Sequence, residues 1–372
     1  MKNGKLLVGI LAVVLVVGAF LTIRSKGSAG TAVDVYAVLP LTGPVAQLGK
    51  TIQDAMHVYM VEHPSSRINI IFVDSASVPD KAVSALNAKT IGKENIIVVS
   101  ALSSVSSTLI PVVSMKNGFV FPILTVAISN EIKSDRYQRF SMGSKDVVDP
   151  IANYAANHYK SIYILSANED YGLRNGKRFS ETFLKGGVST SIIMGNATFD
   201  LQDTNVREIV SKAVSFKPEA IFVTGNGTAT YINVIKVINE MGFDGQILAD
   251  ASFSNPFVYN ALGTVATRVL FTCANSDLAH PQNKEAIEFQ KNCQKHGVSP
   301  YGTTSNAYDV LGFIDMLISG DCIISRETIE SIGGYTGSDH VQFIGQGDCE
   351  YKCKLATIRN GEVVEVVNDV KQ

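Results

Sequence analysis

Short unbroken apolar runs alternate with amphipathic stretches along almost the whole chain. VDVYAVL (33–39) reads as a strand, and Ile52, Ala55, Met56, Tyr59 and Met60 then recur at helical spacing as one apolar stripe. INIIFVD (68–74) predicts a second strand, and Pro79-Asp80 opens a helix after it. ENIIVVS (94–100) is apolar without alternation, as expected of a strand covered on both faces. A helix over 103–117 and a strand over 118–124 follow. Beyond 137–146 the series restarts. Helices over 149–159, 171–187, 204–216 and 229–242 separate strands over 161–167, 188–195, 218–225, 246–250 and 268–273. Two further helices, 285–297 and 305–319, precede a hairpin over 353–367 that turns at Asn360-Gly361. Two tandem βαβα sets predict an α/β protein with parallel central sheets wrapped by helices.

The first 30 residues break the pattern. Lys2 and Lys5 precede an apolar run from Leu6 to Ile23, and a polar linker, RSKGSAGT, ends it. A positive start followed by an apolar span predicts export. The run is long enough to cross a bilayer, so a retained signal anchor and a cleaved signal peptide both stay open. Gly27, Ala29 and Gly30 supply small residues for cleavage. No cysteine follows the run, which excludes a lipid-modified N-terminal cysteine. On either reading, residues from about 31 onward lie outside the cytoplasm. The few residues ahead of the run leave no signalling domain expected within the chain.

Composition narrows the function. The chain has 372 residues, 46% of them apolar and 18% charged, with a net charge of −2, which fits globular domains. The absence of a long Lys/Arg run argues against nucleic acid as a partner. The cysteine count, five, is odd, so at least one thiol is free or pairs between chains. CEYKC (349–353) offers two thiolates, yet the nearest histidine, His340, is not at ligand spacing, so neither metal nor cofactor is expected. The chain lacks GxSxG, HExxH and GxxxxGK[ST], and its histidines are scattered. Ser103, Ser104, Ser106 and Ser107 form a hydroxyl cluster without an adjacent base. A helix starting near Ser104 would present hydroxyls and free N–H groups able to hold a carboxylate, and the same residues read equally well as a simple N-cap.

The ordered motifs LPLTGPVAQLG (39–49), Asp74 after a strand, SALSSVSST (100–108) and FVFPILTVAISNEI (119–132) continue with EDYGLRNGKRF (169–179), PEAIFVTGNGTATYINVIKVINEMGF (218–243) and NAYDVL (306–311). This series resembles the leucine/isoleucine/valine-binding family, type I periplasmic binding proteins that deliver ligands to ABC importers, over about residues 32–368. The resemblance implies two Rossmann-like lobes with parallel central sheets, joined by three crossovers and closing on a ligand between them. Residues 31–146 plus 275–345 would form lobe one, and 147–274 plus 346–372 lobe two, after an N-terminal segment, 1–30. LPLTGPVAQLGK would then be the first strand-to-helix loop, at the cleft rim.

The family's ligand residues carry over position by position. Ser104 matches the serine that grips a carboxylate. Val126 and Ala127 match the segment whose backbone holds the head group, with Ile128 where a hydroxyl is common. Tyr171 matches the aromatic cover from lobe two. Ala251 stands at the position of the acidic residue that pairs with an ammonium, with Asp250 one residue away. Gly227 and Leu48 occupy positions that are often aromatic. Thr224, Asn226, Thr303 and Thr304 add neutral hydrogen-bonding groups. A buried ammonium without a carboxylate costs several kcal/mol, so an amino-acid-like solute, another carboxylate and an amide all stay open as ligands. The expected function is a receptor serving ABC permease subunits, without enzymatic chemistry. A membrane-tethered sensor held by residues 6–23 is the alternative, and a cleft hydrolase the third reading.

Overall fold

The structure, a computed structural model, describes residues 31–124, 134–186, 191–203, 205–226 and 229–366. The expected span over 6–23 lies outside the described residues, as do Val126, Ala127, Ile128 and Gly227. Among the described residues no helix is long and apolar enough to cross a membrane. The chain divides into two compact units, Met1–Val33 and Asp34–Gln372, and the second holds both central sheets.

The first sheet contains β1 (Val33–Leu39), β2 (Ile68–Asp74), β3 (Ile97–Ala101) and β4 (Phe119–Ile123), in the order β2-β1-β3-β4. The pairings β1–β3 and β3–β4 are parallel. Helices α1 (Ala46–Glu62), α2 (Pro79–Lys89) and α3 (Ser103–Ser114) connect its strands. The second sheet runs β14-β13-β9-β8-β7-β5-β6. Its parallel part comprises β5 (Ser161–Ala167), β6 (Ile192–Phe199), β7 (Ala220–Thr224), β8 (Gln246–Ala249) and β9 (Val269–Cys273). The hairpin β13 (Lys354–Arg359) and β14 (Glu362–Glu365) joins β9 antiparallel. Asn360 (φ 52°) and Gly361 (φ 81°) turn it with two positive φ angles, the mirror-image turn that strand twist favours.

The unbroken apolar runs have the expected cause. In β5, Ile162 and Ile164 pack under α4 (Ser144–His158) and α5 (Asp170–Gly186), while Tyr163 and Leu165 face the opposite core with α6 (Arg207–Ser215) and α7 (Ala229–Glu240).

The strand expected over 188–195 instead occupies Ile192–Phe199. Gly195, read as a stop, lies within it: a Cβ there would sit 2.6 Å from the Tyr163 ring, and the register shifts by one residue at that point. The sequence reading also passed over α8 (Pro256–Leu262), α11 (Arg326–Ile332) and an antiparallel sheet of β10 (Gly334–Thr336), β11 (His340–Gly345) and β12 (Asp348–Tyr351). Phe343 of β11 packs on Phe140 and Phe313, and so ties this sheet to α10 (Gly302–Ser319). α10 itself packs on α1, as does α9 (Lys284–Lys295), and both therefore lie with the first sheet.

The chain passes between the sheets at about 139–144, 273–284 and 351–354. Buried polar side chains clamp these passages. Arg139 donates from Nε to Asp348 at 2.6 Å and from its other nitrogens to the carbonyls of Ser141 and Cys349 at 2.8 and 2.9 Å, joining the first passage to the third. Asp277 accepts the N–H groups of Ala274 and Gly302, both at 2.6 Å. Asp339 accepts the Ser276 N–H (3.0 Å) and the Ser305 hydroxyl (2.6 Å), and Asp309 accepts the Asp339 and Ser338 N–H groups (3.1 and 3.0 Å). All five cysteines carry free thiols, Cys273 on one core face of the second sheet and Cys353 against the other.

Burial pushes the Asp277 and Asp309 carboxyls up to about 7. An unfolded aspartate titrates near 4, so between about pH 4 and 7 the native state binds more protons. Its stability from these groups is greatest at the acid end and is lost as pH rises through about 7. The melting temperature should therefore be higher at pH 5 than at pH 8, and Asp309→Asn should flatten the difference. A melting temperature that rises from pH 5 to 8 in calorimetry would contradict this.

Candidate functional site

Two adjoining chambers lie where strand C-termini of the second sheet face α1 and α10. The inner one, about 60 Å³, is walled by Leu48 of α1, Tyr171 of α5, Ser252 and Asn255 after β8, and Tyr301 and Asn306 at the start of α10. Ser141, Asn226, Ser254 and Thr303 add further hydroxyl and amide groups, and Leu124, Met142, Val147 and Ala251 apolar ones. None of these side chains carries a formal charge. The outer chamber, about 360 Å³, shares Leu48, Asn226, Asn255 and Tyr301 with the inner one.

The charges lie behind the wall. Asp250 has no exposed surface. It accepts the Thr224 hydroxyl, the Ser252 N–H (2.9 Å), the Gly225 N–H (3.3 Å) and the Asn175 amide (3.4 Å). Burial pushes its pKa up to about 6, against the pull of those donors. Glu169 accepts the N–H groups of Tyr171 (2.9 Å) and Gly172 (2.7 Å) and caps α5; burial pushes it up to about 7. Tyr171 is placed by that cap, and its hydroxyl accepts from Ser252 at 3.4 Å. Burial, reinforced by Asp250, raises the Tyr171 pKa well above the ordinary phenol range, so it stays a neutral hydrogen-bonding group.

The loop LPLTGPVAQLGK is tied down rather than bare. Asp74, closing β2, accepts the N–H groups of Leu41 (3.0 Å), Thr42 (3.1 Å) and Ala76 (2.8 Å) and the Thr42 hydroxyl (2.7 Å). These donors outweigh burial and hold its carboxyl below the usual range. Gly49 is needed for close approach, because a Cβ there would meet the Pro40 carbonyl at 2.1 Å. The loop and the start of α1 still reach the cleft, since Pro44, Val45, Gln47 and Leu48 wall the outer chamber.

The structure thus brings Leu48 and Tyr171 together in one wall, with Asn226 and Thr303. Ser104 is exposed on the first turn of α3, which approaches α5, and lies outside both chamber walls. Asp250 and Thr224 lie beneath the wall, bound to each other. Thr304 caps α10, receiving the Tyr301 N–H at 2.8 Å. Ser106 is buried against Ser100, their hydroxyls 2.8 Å apart. Sequence reasoning missed Ser252, Asn255, Tyr301 and Asn306. The first two follow β8 directly, where ligands bind beyond strand C-termini, and that position was the available signal.

The fold and this interlobe site define a binding protein of the type I periplasmic class. A family model described as periplasmic binding protein matches residues 33–318, and the chain belongs to that family. It is therefore a solute-binding protein of the periplasmic type. Solved structures share the fold. The leucine-binding protein LivK of Thermotoga maritima is 22% identical over 90% of this chain and 98% of its own, with a TM-score of 0.76. LivJ of Streptococcus pneumoniae, in complex with isoleucine, is 16% identical over 90% and 100%, TM-score 0.76. A solute-binding protein of an ABC transporter from Rhodopseudomonas palustris, in complex with 3,4-dihydroxybenzoic acid, is 19% identical over 91% and 99%, TM-score 0.75. The chain spans 60% of a longer extracellular ligand-binding receptor from Desulfohalobium retbaense, at 18% identity and a TM-score of 0.74. A search of curated protein sequences finds no match.

Asp74→Ala should loosen the first loop. Four lost hydrogen bonds, those from Leu41 and Ala76 part-buried, predict a loss of about 1–3 kcal/mol, read as a lower urea midpoint. An unchanged midpoint would show that Asp74 does not anchor the loop.

Proposed function

We propose that this receptor captures a small solute with an amino-acid-like, carboxylate or amide head and passes it to the permease of an ABC importer, without altering it chemically. Lobe one, residues 31–146 plus 275–345, and lobe two, residues 147–274 plus 346–372, close on the solute as rigid bodies. The reading is carried by the inner chamber, whose wall, among the described residues, draws hydroxyls and amides from both sides of the cleft and no charged side chain. Such a wall binds by neutral hydrogen bonds and excludes water on closure; it suits an amide or an internally balanced amino-acid head, and it holds a carboxylate through hydroxyl and amide donors rather than through a cation. The ligands of the similar proteins, isoleucine and 3,4-dihydroxybenzoic acid, carry such heads, an amino-acid one and a carboxyl one.

In this reading Tyr171 covers the ligand and Leu48 forms the rim. By the family resemblance Val126 and Ala127 would hold the head group through their backbone, and Gly227 would leave space where an aromatic is common.

A thermal-shift panel of amino acids, aromatic and aliphatic acids and amides tests it. A true ligand adds about 2.7 kcal/mol at a hundredfold excess over Kd. Tyr171→Ala should weaken that ligand tenfold or more while the protein still melts cooperatively. A hit whose affinity survives Tyr171→Ala would place binding elsewhere. Ser104→Ala in the same titration decides that residue: a tenfold loss keeps it as a carboxylate grip, and unchanged affinity removes it.

A further inference from the structure

The outer chamber has no part in the reading above, yet it is the larger. A void of about 150 Å³ suffices for a benzene ring, so about 60 Å³ inside holds a head group and about 360 Å³ outside holds a body of more than one ring's size. The two adjoin, because Leu48, Asn226, Asn255 and Tyr301 border both. The outer wall is amphipathic. Val45, Val298 and Phe257 give apolar surface, and Gln47, Thr51 and Ser299 give hydrogen-bonding groups. Asp54, the one formally charged residue among the described residues of this wall, is paired with Lys50. Phe257 is 54% exposed, an aromatic face left open on α8 beside this space.

We propose that the outer chamber is a second ligand subsite, so that the receptor takes a two-part solute: a small polar head in the inner chamber and an uncharged, aryl- or aliphatic-bearing body in the outer one. The inference rests on the receptor reading and deepens it. Leu48 sets the join. An aliphatic side chain there leaves the passage between Tyr301 and Asn255 open, where a ring would narrow it. The body's apolar edge lies on Phe257 and Val298, and an amide or hydroxyl on it meets Gln47 or Ser299.

Paired probes test this in calorimetric titration of the intact chain: alanine with 4-phenylphenylalanine, benzoate with 4-phenylbenzoate, and butyramide with 4-phenylbutyramide. In a pair whose head binds, the longer member should bind at least tenfold tighter. Ala229→Trp, at an exposed position on the lobe-two side of the outer wall, should bring that ratio close to one. Gln47→Trp, filling the chamber from the other side, should do the same and guards against misfolding of the first variant. A short member that binds as well as its longer partner, or a gain that survives both tryptophans, overturns the second subsite and leaves the receptor reading intact. No heat with any probe, short or long, sinks the receptor reading and the subsite with it.

Discussion

Parallel sheets gather their strand C-termini on one edge, and the loops leaving that edge carry N–H groups that need acceptors. In this chain carboxylates take them. Asp74 holds the loop after β1 and the turn after β2. Glu169 holds the start of α5 after β5, and Asp250 the turns after β7 and β8. Asp277 joins the passage after β9 to the start of α10. A carboxylate buried this way is useful only while its donors stay in place, so each one fixes a cleft-facing loop. The acids therefore stand behind the chamber wall, and the wall itself is left with hydroxyls, amides and rings.

The same device braces the passages between the two sheets. A hinge made of extended passages is soft unless its polar groups are paired, and here Arg139, Asp277 and Asp339 pair them across separate segments. In the proposed closure the segments would rotate as a set, carrying Leu48 and Tyr171 with them. Neutral walls suit such a motion. Separating two hydroxyl-lined surfaces exposes groups that water satisfies readily, whereas separating a buried ion pair would have to overcome Coulomb attraction.

Much of the architecture was legible because apolar runs and stripes carry different periods. β5 shows it: its two sets of alternating side chains enter two cores, so the run has no polar gap. The misreadings have local causes. Gly195 reads as a stop, yet it is the residue that lets β6 pass the Tyr163 ring. β11 does alternate, with Val341 and Phe343 inward and His340 and Gln342 outward, but it is short and flanked by glycines, and so reads as loop. The site was harder. Tyr171 and Leu48 were accessible through motif order, while Asp250 drew attention as a carboxylate near a ligand position. Its engagement with Thr224 and two backbone N–H groups comes from strands that are neighbours only after folding. Tyr301 and Asn306 reach the chamber through the packing of α10 on α1, a contact between segments over two hundred residues apart that no local pattern announces.

If the acids serve the loops and the wall serves the ligand, the isosteric change Asp250→Asn separates the two. For the tightest ligand found, calorimetric titration at pH 7 should give a Kd within threefold of the unchanged protein, while the melting temperature shifts by several degrees because a buried acceptor has become a donor. A loss of a hundredfold or more in affinity, with the melting temperature held, would mean that Asp250 pairs with a charge on the ligand, and the neutral wall would be the wrong account of this cleft.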